Sequence, residues 1–316
     1  MERIGIYSGT FDPPHLGHVR AAQSALTAQQ LDRILVIPDG DCPAGQSVAS
    51  RKQRLEMLCL AFAEMPGIQV AEQEPENCEA IRLEAHEEGL PARQLQRMLV
   101  FHCASDFVPE PVLNYILAHG LYAVSEDLRN LPEERLERNV MELLKPNRRA
   151  HVLGCRDTAV ALAKRYGVNE TDAARAALLH DVTKALDGPL QLTLCSAYGM
   201  MLDDFSAKNP KTLHALTGSL VAQRIFGENE AVVQAIRCHT TGKADMNLLE
   251  KIIYVADSME PNRDFPGVEK LRSLAYEDIT EALKLGLHMT LEMLTQRGSE
   301  ISPESREALA FLEGAV

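Results

Sequence analysis

The chain of 316 residues carries a formal net charge of −13, and 46% of its residues are hydrophobic. This length suffices for two domains and this composition for a packed core, whereas the negative charge argues against a nucleic-acid backbone or an anionic membrane surface as partner. No apolar run approaches the ~20 residues of a membrane span, and the seven cysteines include no C-x-x-C pair. We therefore expect a cytoplasmic protein with reduced thiols.

The first third of the sequence alternates short apolar runs with helix-forming stretches. Such alternation predicts a parallel, Rossmann-like α/β sheet, with ligands outside the carboxyl ends of its strands. We assign this predicted domain to residues 1–125. Its predicted strands cover 3–7, 34–38, 68–71 and 98–102, and its predicted helices cover 19–26 and 51–63, the latter with Arg51, Gln53 and Arg54 on an exposed first turn.

A string containing glycine and histidine links the first strand to the first helix: Gly-Thr-Phe-Asp-Pro-Pro-His-Leu-Gly-His. A strand, a tight turn and a helix in this order bring backbone N–H groups to a phosphate, and imidazoles there can stabilise charge on a phosphoryl group. The string resembles the signature of the H-x-G-H nucleotidyltransferases, specifically the bacterial nicotinate-nucleotide adenylyltransferases, which transfer AMP from ATP to nicotinate mononucleotide. The resemblance implies that ATP, with Mg²⁺, is bound by Gly9, Thr10, Phe11, His15 and His18.

The later part of this region departs from the adenylyltransferase pattern. Residues 72–97 are polar and are interpreted as exposed helix and loop, while 108–122 resembles the segment that closes such domains. The chain has no Trp for the acceptor region, and the nearest counterpart of the Ser/Thr-rich, Arg-containing triphosphate segment, Ala80-Ile81-Arg82, has no hydroxyls. We therefore predict a degenerate domain that binds ATP or ADP, and a sheet incomplete on the acceptor side.

Every predicted element from residue 147 onward is a helix. We expect an all-α domain over 147–316, joined to the first by a connecting helix within 126–146. Residues 198–204 are interpreted as a loop and short helix at the entrance to a site. The predicted helices cover 133–144, 158–166, 169–180, 213–226, 230–238, 247–259, 276–296 and 303–312.

The helical half also contains a set of potential metal ligands. A run rich in alanine and leucine ends in a His-Asp pair, three further histidines stand in polar contexts typical of helix ends, and an aspartate closes an apolar run. A carboxylate in such a run is costly to bury unless it is paired or bound to a metal. The candidate ligands are His151, His180, Asp181, His214, His239 and Asp257.

The chemistry of this set limits the metal. Imidazole and carboxylate ligands suit Fe, Mn, Zn or Co better than a thiolate-seeking ion. The set exceeds the four ligands of one tetrahedral zinc site, but it suits two ions that share a carboxylate. Asp181 is the natural bridge, because it directly follows another ligand.

The order His, His-Asp, His, His, Asp resembles the HD superfamily of metal-dependent phosphohydrolases in its two-metal form. The strings at 239–242 (His-Thr-Thr-Gly) and 260–263 (Glu-Pro-Asn-Arg) resemble those of the YqeK-type proteins, which hydrolyse diadenosine tetraphosphate (Ap4A) to two ADP. This resemblance runs from about residue 147 to the last residue of the sequence. It implies two divalent ions, with Fe foremost and Mn or Co as alternatives.

The two-metal interpretation assigns a role to each residue. Two cations lower the pKa of bound water and offset charge on phosphoryl oxygens, so Asp181 is predicted to be catalytic, with Lys184 holding a phosphate one turn later. One ion would be held by His151, His180, Asp181 and Asp257, and the other by Asp181, His214 and His239. The nucleotide would contact Thr240, Thr241 and Gly242, and a further phosphate would contact Arg263.

Three functions are compatible with these patterns. The first is hydrolysis of Ap4A by the HD domain, with a degenerate nucleotide-binding domain before it. The second is a bifunctional enzyme that also synthesises an NAD precursor, and the third is an adenine-nucleotide sensor without catalysis. The expected partners are adenine mono- and dinucleotides, not nucleic acid or membrane, and the oligomeric state stays open, a homodimer included.

Overall fold

The computed structural model describes residues 2–40, 48–75, 80–83 and 90–314. The chain divides into two compact units, Met1–Asp127 and Leu128–Val316, here called the N-terminal unit and the helical unit. The connecting helix predicted within 126–146 lies in the helical unit. Parts of the polar segment that was interpreted as exposed helix and loop, residues 76–79 and 84–89, lie outside the described residues.

The N-terminal unit is built on a parallel sheet. Its strands are β1 (Ile4–Gly9), β2 (Arg33–Pro38), β3 (Ile68–Val70) and β4 (Ala80–Leu83). The strand order is β3-β2-β1-β4, and every pairing is parallel. The central strands are nearly continuous apolar runs because both of their faces are buried. The helices are α1 (Leu16–Ala28), α2 (Arg51–Phe62), α3 (Ala92–Val100) and α4 (Glu110–Ala118).

The strand predicted over 98–102 is wrong. This stretch lies mostly in α3, where Leu95, Met98 and Leu99 are buried; their spacing of three and four residues is that of a helix face. The strand β4 falls instead within the segment that was predicted to be exposed helix and loop. Of its side chains only Leu83 is buried, so the sequence has no apolar run there to mark a strand.

The prediction that Arg54 faces solvent is also wrong. Its side chain is fully buried, and its guanidinium donates to the backbone oxygens of Thr10 (2.6 Å) and Gly40 (2.9 Å). Arg54 therefore ties together the segments that leave β1 and β2. The spacing of a helix could have predicted this burial. Met57 and Leu58 lie three and four residues after Arg54, on the same face of α2, and are buried too.

The helical unit consists of α-helices and one 3₁₀ turn at Pro210–Thr212 in its described part. The prediction of a single helix over 276–296 is wrong, because the extended backbone of Asp278 separates two helices there. The helices are α5 (Glu133–Leu143), α6 (Pro146–Tyr166), α7 (Glu170–Leu179), α8 (Gly188–Ala197), α9 (Asp204–Lys208), α10 (Leu213–Arg224), α11 (Glu230–Cys238), α12 (Leu248–Met259), α13 (Val268–Glu277), α14 (Ile279–Gln296) and α15 (Pro303–Leu312).

Helix α7 lies at the centre of this unit. It packs against α6, α10, α11 and α12. Its alanines, 173, 174, 176 and 177, are all buried, and their small side chains let the neighbouring helices approach closely. Four helix faces therefore converge near the end of α7. Within the described part of the chain, we find no helix with the length and hydropathy needed to span a bilayer.

Candidate metal centre

The six predicted ligands meet where these helices converge. His180 is the C-cap of α7 and His239 that of α11, while His214 is the second residue of α10. Asp257 lies in the last turn of α12. His151 lies within α6, not at a helix end as predicted, because α6 begins at Pro146; proline is favoured at the first position of a helix.

The four imidazoles form two pairs. The Nε2 atoms of His151 and His180 are 3.2 Å apart, and those of His214 and His239 are also 3.2 Å apart. Asp257 belongs to the first pair, since its Oδ1 lies 3.0 Å from Nε2 of His151. The first pair and Asp257 thus offer one potential ligand atom each, all within 4.8 Å of one another.

Asp181 lies between the two pairs. Its Oδ2 is 3.4 Å from Nε2 of His180, and its Oδ1 is 3.5 Å from Nε2 of His214 and 3.9 Å from that of His239. Asp181 is fully buried, and its Oδ1 accepts no hydrogen bond from the described residues. Lys184 forms only a long ion pair with this oxygen, at 3.8 Å. A buried carboxylate oxygen without a hydrogen-bond donor is costly, and a metal cation at this position would remove the cost.

The Nδ1 atoms of three imidazoles form hydrogen bonds with backbone oxygens on the side away from the centre. Those of His180, His214 and His239 face the backbone oxygens of Ala177 (2.6 Å), Lys211 (2.9 Å) and Ile236 (2.6 Å). A carbonyl oxygen can only accept, so each Nδ1 carries the proton and each Nε2 presents a lone pair to the centre. Facing lone pairs 3.2 Å apart repel unless a cation or a proton lies between them. These donors therefore fit divalent ions.

Sequence reasoning missed Glu260, which orients the fourth imidazole. Its buried carboxylate lies 3.0 Å from Nδ1 of His151. Gly154 makes room for it, because a Cβ at that position would stand 2.5 Å from Oε2 of Glu260. The available signal was the spacing of His151 and Gly154, which places both on one face of α6.

Three cations surround the carboxylates. Lys184 donates to Nε2 of His214 (2.7 Å), and Arg263 donates to Oδ1 of Asp257 (2.6 Å). Arg148, which sequence reasoning also missed, forms an ion pair with Oδ2 of Asp181. Lys184 and Arg263 thus lie beside the centre as predicted, but each is already bonded to a candidate ligand.

The predicted nucleotide-binding residues after His239 differ in position. The Thr240 hydroxyl lies 3.1 Å from Nε2 of both His214 and His239, whereas the Thr241 hydroxyl donates to Glu304 (2.7 Å). A Cβ at Gly242 would contact Ala308 and Leu287, so this glycine packs against α14 and α15 and does not offer open backbone. A substrate-binding role for Thr241 and Gly242 stays a prediction.

The electrostatics favour the ligand-competent forms of Asp181, His214 and His239. His180 differs, because burial lowers its pKa but the neighbouring carboxylates outweigh burial and raise that pKa. Burial raises the pKa of Asp181, but His180 and Lys184 outweigh it and hold that pKa well below its ordinary value. Burial, followed by the charge of Lys184, holds the pKa of His214 well below its ordinary value, and burial with His180 lowers the pKa of His239 to about 4. The carboxylate is thus charged and these two imidazoles are neutral near pH 7, as metal ligation requires.

The N-terminal unit places its predicted site at the carboxyl edge of the sheet. His15 is the N-cap of α1 and stacks on His18, with ring centroids 3.6 Å apart. Burial lowers the pKa of His15 to about 4, assisted by Arg20, and that of His18 to about 3, assisted by His15. Both imidazoles are therefore neutral near pH 7.

The other predicted residues of this site are partly enclosed. The Phe11 ring is buried edge-on against Tyr7 (5.3 Å) and His18 (4.9 Å), so only its backbone is available to a nucleotide. Gly9 is the last residue of β1 and Thr10 follows it. The Thr10 hydroxyl donates to Asp39 (3.3 Å). Their role in binding ATP stays a prediction.

Sequence reasoning missed Asp12, which anchors this turn. Its buried carboxylate accepts from the backbone N–H groups of Val48 (2.7 Å) and Ala49 (3.1 Å) and from the Tyr122 hydroxyl (2.6 Å). Arg82, which belongs to the nearest counterpart of the triphosphate segment, is in β4 and pairs with Glu74 (2.9 Å). Its guanidinium is therefore engaged at an exposed ion pair.

Two family models match this chain. Residues 148–262 match the model described as HD domain, and residues 6–148 match the one described as cytidylyltransferase-like. A crystal structure from Clostridium acetobutylicum, titled as a predicted HD superfamily hydrolase involved in NAD metabolism, is 36% identical and has a TM-score of 0.57. The match covers 59% of this chain and 99% of that one.

Two curated relatives extend the comparison. A symmetrical bis(5'-nucleosyl)-tetraphosphatase from Halalkalibacterium halodurans is 39% identical over 170 residues, which are 52% of this chain and 90% of that protein. A probable nicotinate-nucleotide adenylyltransferase/Ap4A hydrolase from Mycoplasma pneumoniae is 24% identical over 321 residues, 82% of this chain and 88% of that protein.

The fold and the converging ligands define an HD-domain protein with a nucleotidyltransferase-like domain before it, which confirms the predicted fold class. Within that class, the chain belongs to the family of the symmetrical bis(5'-nucleosyl)-tetraphosphatases. The HD domain implies divalent metal binding, in agreement with the His/Asp clusters.

Proposed function

We propose that the helical unit hydrolyses Ap4A to two molecules of ADP at a centre of two divalent ions. The observation that carries this proposal is the position of Asp181, whose two oxygens face separate imidazole pairs. The choice of substrate is supported by the relative from H. halodurans, which is 39% identical and named as a symmetrical tetraphosphatase.

Each residue has a distinct part in this proposal. One ion would be held by the first pair with Asp257 and Asp181, and the other by Asp181 with the second pair. When bound, divalent ions activate water and offset phosphate charge. Iron is the first choice, with Mn or Co as alternatives, as the resemblance to the two-metal HD proteins implies; imidazole and carboxylate donors are compatible with all three. Glu260 keeps the His151 ring in its ligating orientation.

The three cations at the centre are suited to the tetraphosphate. Arg148, Lys184 and Arg263 carry positive charge beside an anionic substrate, and their present partners are carboxylates or an imidazole. Phosphate oxygens can replace those partners, because guanidinium groups bind them in the same forked geometry. We assign Lys184 and Arg263 to phosphate binding and add Arg148. Thr240 can donate to a phosphate oxygen beside the second pair.

Product analysis tests this proposal. Protein reconstituted anaerobically with Fe(II), and separately with Mn(II), is incubated with Ap4A, next to a His180→Ala/Asp181→Ala variant. We expect ADP as sole product and no turnover by the variant. ATP plus AMP would show that another phosphate is attacked. Absence of turnover by metal-loaded protein would reject the hydrolase and favour the nucleotide sensor.

A second function is supported for the N-terminal unit. The match to the cytidylyltransferase-like model and the whole-chain similarity to the M. pneumoniae protein support adenine-nucleotide binding at His15 and His18. We propose binding of ATP or ADP there, with adenylyl transfer to nicotinate mononucleotide as the alternative. Incubation with ATP, Mg²⁺ and nicotinate mononucleotide separates the two, because only transfer releases pyrophosphate. We further propose that the protein acts in the cytoplasm and leave a homodimer as an untested alternative.

A further inference from the structure

Three buried polar side chains join the segment after the His-Asp pair to helices α8 and α10. Thr183 follows Asp181 by two positions, Gln191 lies in α8, and Thr217 lies in α10, three positions after His214. All three are almost inaccessible to solvent. Buried hydroxyl and amide groups are costly unless they are hydrogen-bonded, so the partners of these groups indicate which parts of the fold they hold together.

The three residues form a closed set of hydrogen bonds, here called the polar network. The Gln191 amide nitrogen donates to the Thr183 backbone oxygen (2.7 Å). The Gln191 amide oxygen accepts from the Thr217 hydroxyl. This bond uses the single proton of that hydroxyl, so Thr217 accepts from the Thr183 hydroxyl, which lies 2.8 Å away. The direction of each bond in the network is therefore fixed.

The polar network reaches the metal centre at His214. The Thr183 hydroxyl also donates to the backbone oxygen of His214 (3.1 Å), so it contacts the turn of α10 that carries this ligand. The backbone of Thr183 belongs to the same short segment as Asp181. The separation of 3.5 Å between Oδ1 of Asp181 and Nε2 of His214 therefore depends on how these two segments are held together.

Gly218 lets the same two segments pack closely. A Cβ at this position would stand 3.3 Å from the backbone oxygen of His180 and 3.7 Å from the Thr183 hydroxyl. Helix α10 therefore lies directly against the backbone of the His-Asp pair. Close packing limits the separation of the two segments, and the directional bonds of Thr183 fix their register along α10.

We propose that Thr183, Gln191 and Thr217 are positioning residues for the second of the two ions. They keep His214 at a distance from Asp181 at which both can bind one cation. This inference rests on the proposed two-ion centre and adds to it the residues that govern occupancy of the second site. The first site depends on the polar network less, because His151 and Asp257 lie on α6 and α12, which contain none of its members.

Binding of Mn(II) to the full chain tests this inference one site at a time. Asp257→Ala removes a ligand of the first site and His239→Ala removes one of the second, so each background retains the ligands of the other site. Electron paramagnetic resonance of free Mn(II) gives the affinity of the remaining site. Thr183→Val, which replaces the hydroxyl by a methyl group of similar size, should weaken binding about tenfold in the Asp257→Ala background, as loss of a partner outside the ligand set does. It should leave binding nearly unchanged in the His239→Ala background.

Three further variants separate positioning from a general loss of stability. Thr183→Ser retains the hydroxyl and should restore the affinity of the second site. Thr217→Ala interrupts the polar network on α10 and should show the same selectivity as Thr183→Val. Ser219→Ala is the matched control: it removes another buried hydroxyl of α10, which donates to the Leu216 backbone oxygen (2.7 Å), and should leave both affinities unchanged.

The outcomes separate this inference from the proposed function. Equal weakening of both sites, no weakening, or failure of serine to restore the affinity would overturn the positioning role even if Ap4A is hydrolysed. Selective weakening of the second site that serine restores would support it even if product analysis rejected symmetrical hydrolysis. An unsubstituted chain that bound a single Mn(II) would reject the two-ion centre and this inference together.

Discussion

Both units of the chain bury histidines, but they present opposite sides of the imidazole ring to their sites. In the helical unit, Nδ1 of His180 and of His239 faces a carbonyl oxygen and must donate, so Nε2 offers a lone pair. In the N-terminal unit, Nδ1 of His15 accepts from the Gly17 N–H and Nδ1 of His18 accepts from the His15 N–H, each at 3.1 Å. In a neutral ring the proton then sits on Nε2.

This difference explains why one residue type serves two purposes. An Nε2 lone pair is a metal ligand, whereas an Nε2–H group is a hydrogen-bond donor that suits a phosphate oxygen. The backbone group behind each ring determines which form is present. Burial keeps His15, His18 and His239 neutral by lowering their pKa, so for these three rings the tautomer, and not the charge, is what differs between the two sites.

The largest effect is expected from removing the shared carboxylate. Asp181→Asn keeps the shape of the side chain but replaces one oxygen by an NH₂ group that faces an imidazole pair. Hydrolysis of Ap4A should fall on the order of 10³-fold or more, with loss of bound metal measured by elemental analysis. Asp157→Asn, at an exposed position of α6, is the control and should retain both. Full metal content in Asp181→Asn would argue against the bridge.

A smaller effect is expected from displacing Glu260, the carboxylate that contacts Nδ1 of His151. In Gly154→Ala the new methyl group would collide with Glu260, so His151 should lose its partner and metal affinity should fall about 10- to 100-fold. The control is Gly286→Ala, where the nearest atom, on Tyr254, is 3.5 Å away. Titration with a competing chelator measures both. Equal affinities would show that Glu260 does not orient the ring.

The tautomer assigned to the N-terminal unit is tested with two substitutions of His18, each of which keeps a polar group near a different ring nitrogen. Asparagine keeps an acceptor near the Nδ1 position but removes the Nε2–H donor, whereas glutamine can place an NH₂ donor near Nε2. We expect His18→Asn to weaken ATP binding about tenfold, the cost of one hydrogen bond to a charged group, and His18→Gln to weaken it less. Calorimetry on the full chain measures this, and the reverse order would contradict the assigned tautomer.

The last expected effect concerns stability, which should depend on pH. Since burial lowers the pKa of His15 to about 4 and that of His18 to about 3, the unfolded chain binds more protons between these values and about 6.5. The free energy of unfolding should therefore fall as the pH falls from about 6.5, by up to about 1.4 kcal/mol per unit and histidine. Urea unfolding at pH 7 and pH 5 measures this. The free energy of unfolding should drop less between the two values in His15→Asn/His18→Asn than in the unsubstituted chain, and an equal drop would refute the role of these histidines.

The candidate ligands could be found from the sequence because each is unusual in its local context. A His-Asp pair after an alanine-rich run and an acid at the end of an apolar run are visible without a structure. Glu260 and Arg148 were not predicted, because their significance depends on contacts across 109 and 33 positions of the chain. Single charged residues near helix ends are ordinary in any sequence.

In the fold, too, local patterns could be predicted from the sequence and long-range contacts could not. Strands with continuous apolar runs, such as β1 and β2, were predicted correctly, whereas β4 was missed because only Leu83 of its side chains is buried. Arg54 was placed on the surface because arginine is seldom fully buried. Its burial becomes favourable only when three backbone oxygens, those of Thr10, Asp39 and Gly40, are positioned to accept from it.

The bond between Asp12 and Tyr122 has a consequence for biosynthesis. The two residues are 110 positions apart, so the first turn of the N-terminal unit receives its last partner only when nearly the whole unit has left the ribosome. Long-range contacts of this kind slow folding, since the loop must close before the contact forms. In a nascent chain that ends before Tyr122, the Asp12 carboxylate therefore lacks its hydroxyl donor. Such a chain should be cleaved more easily by protease than a chain that includes Tyr122.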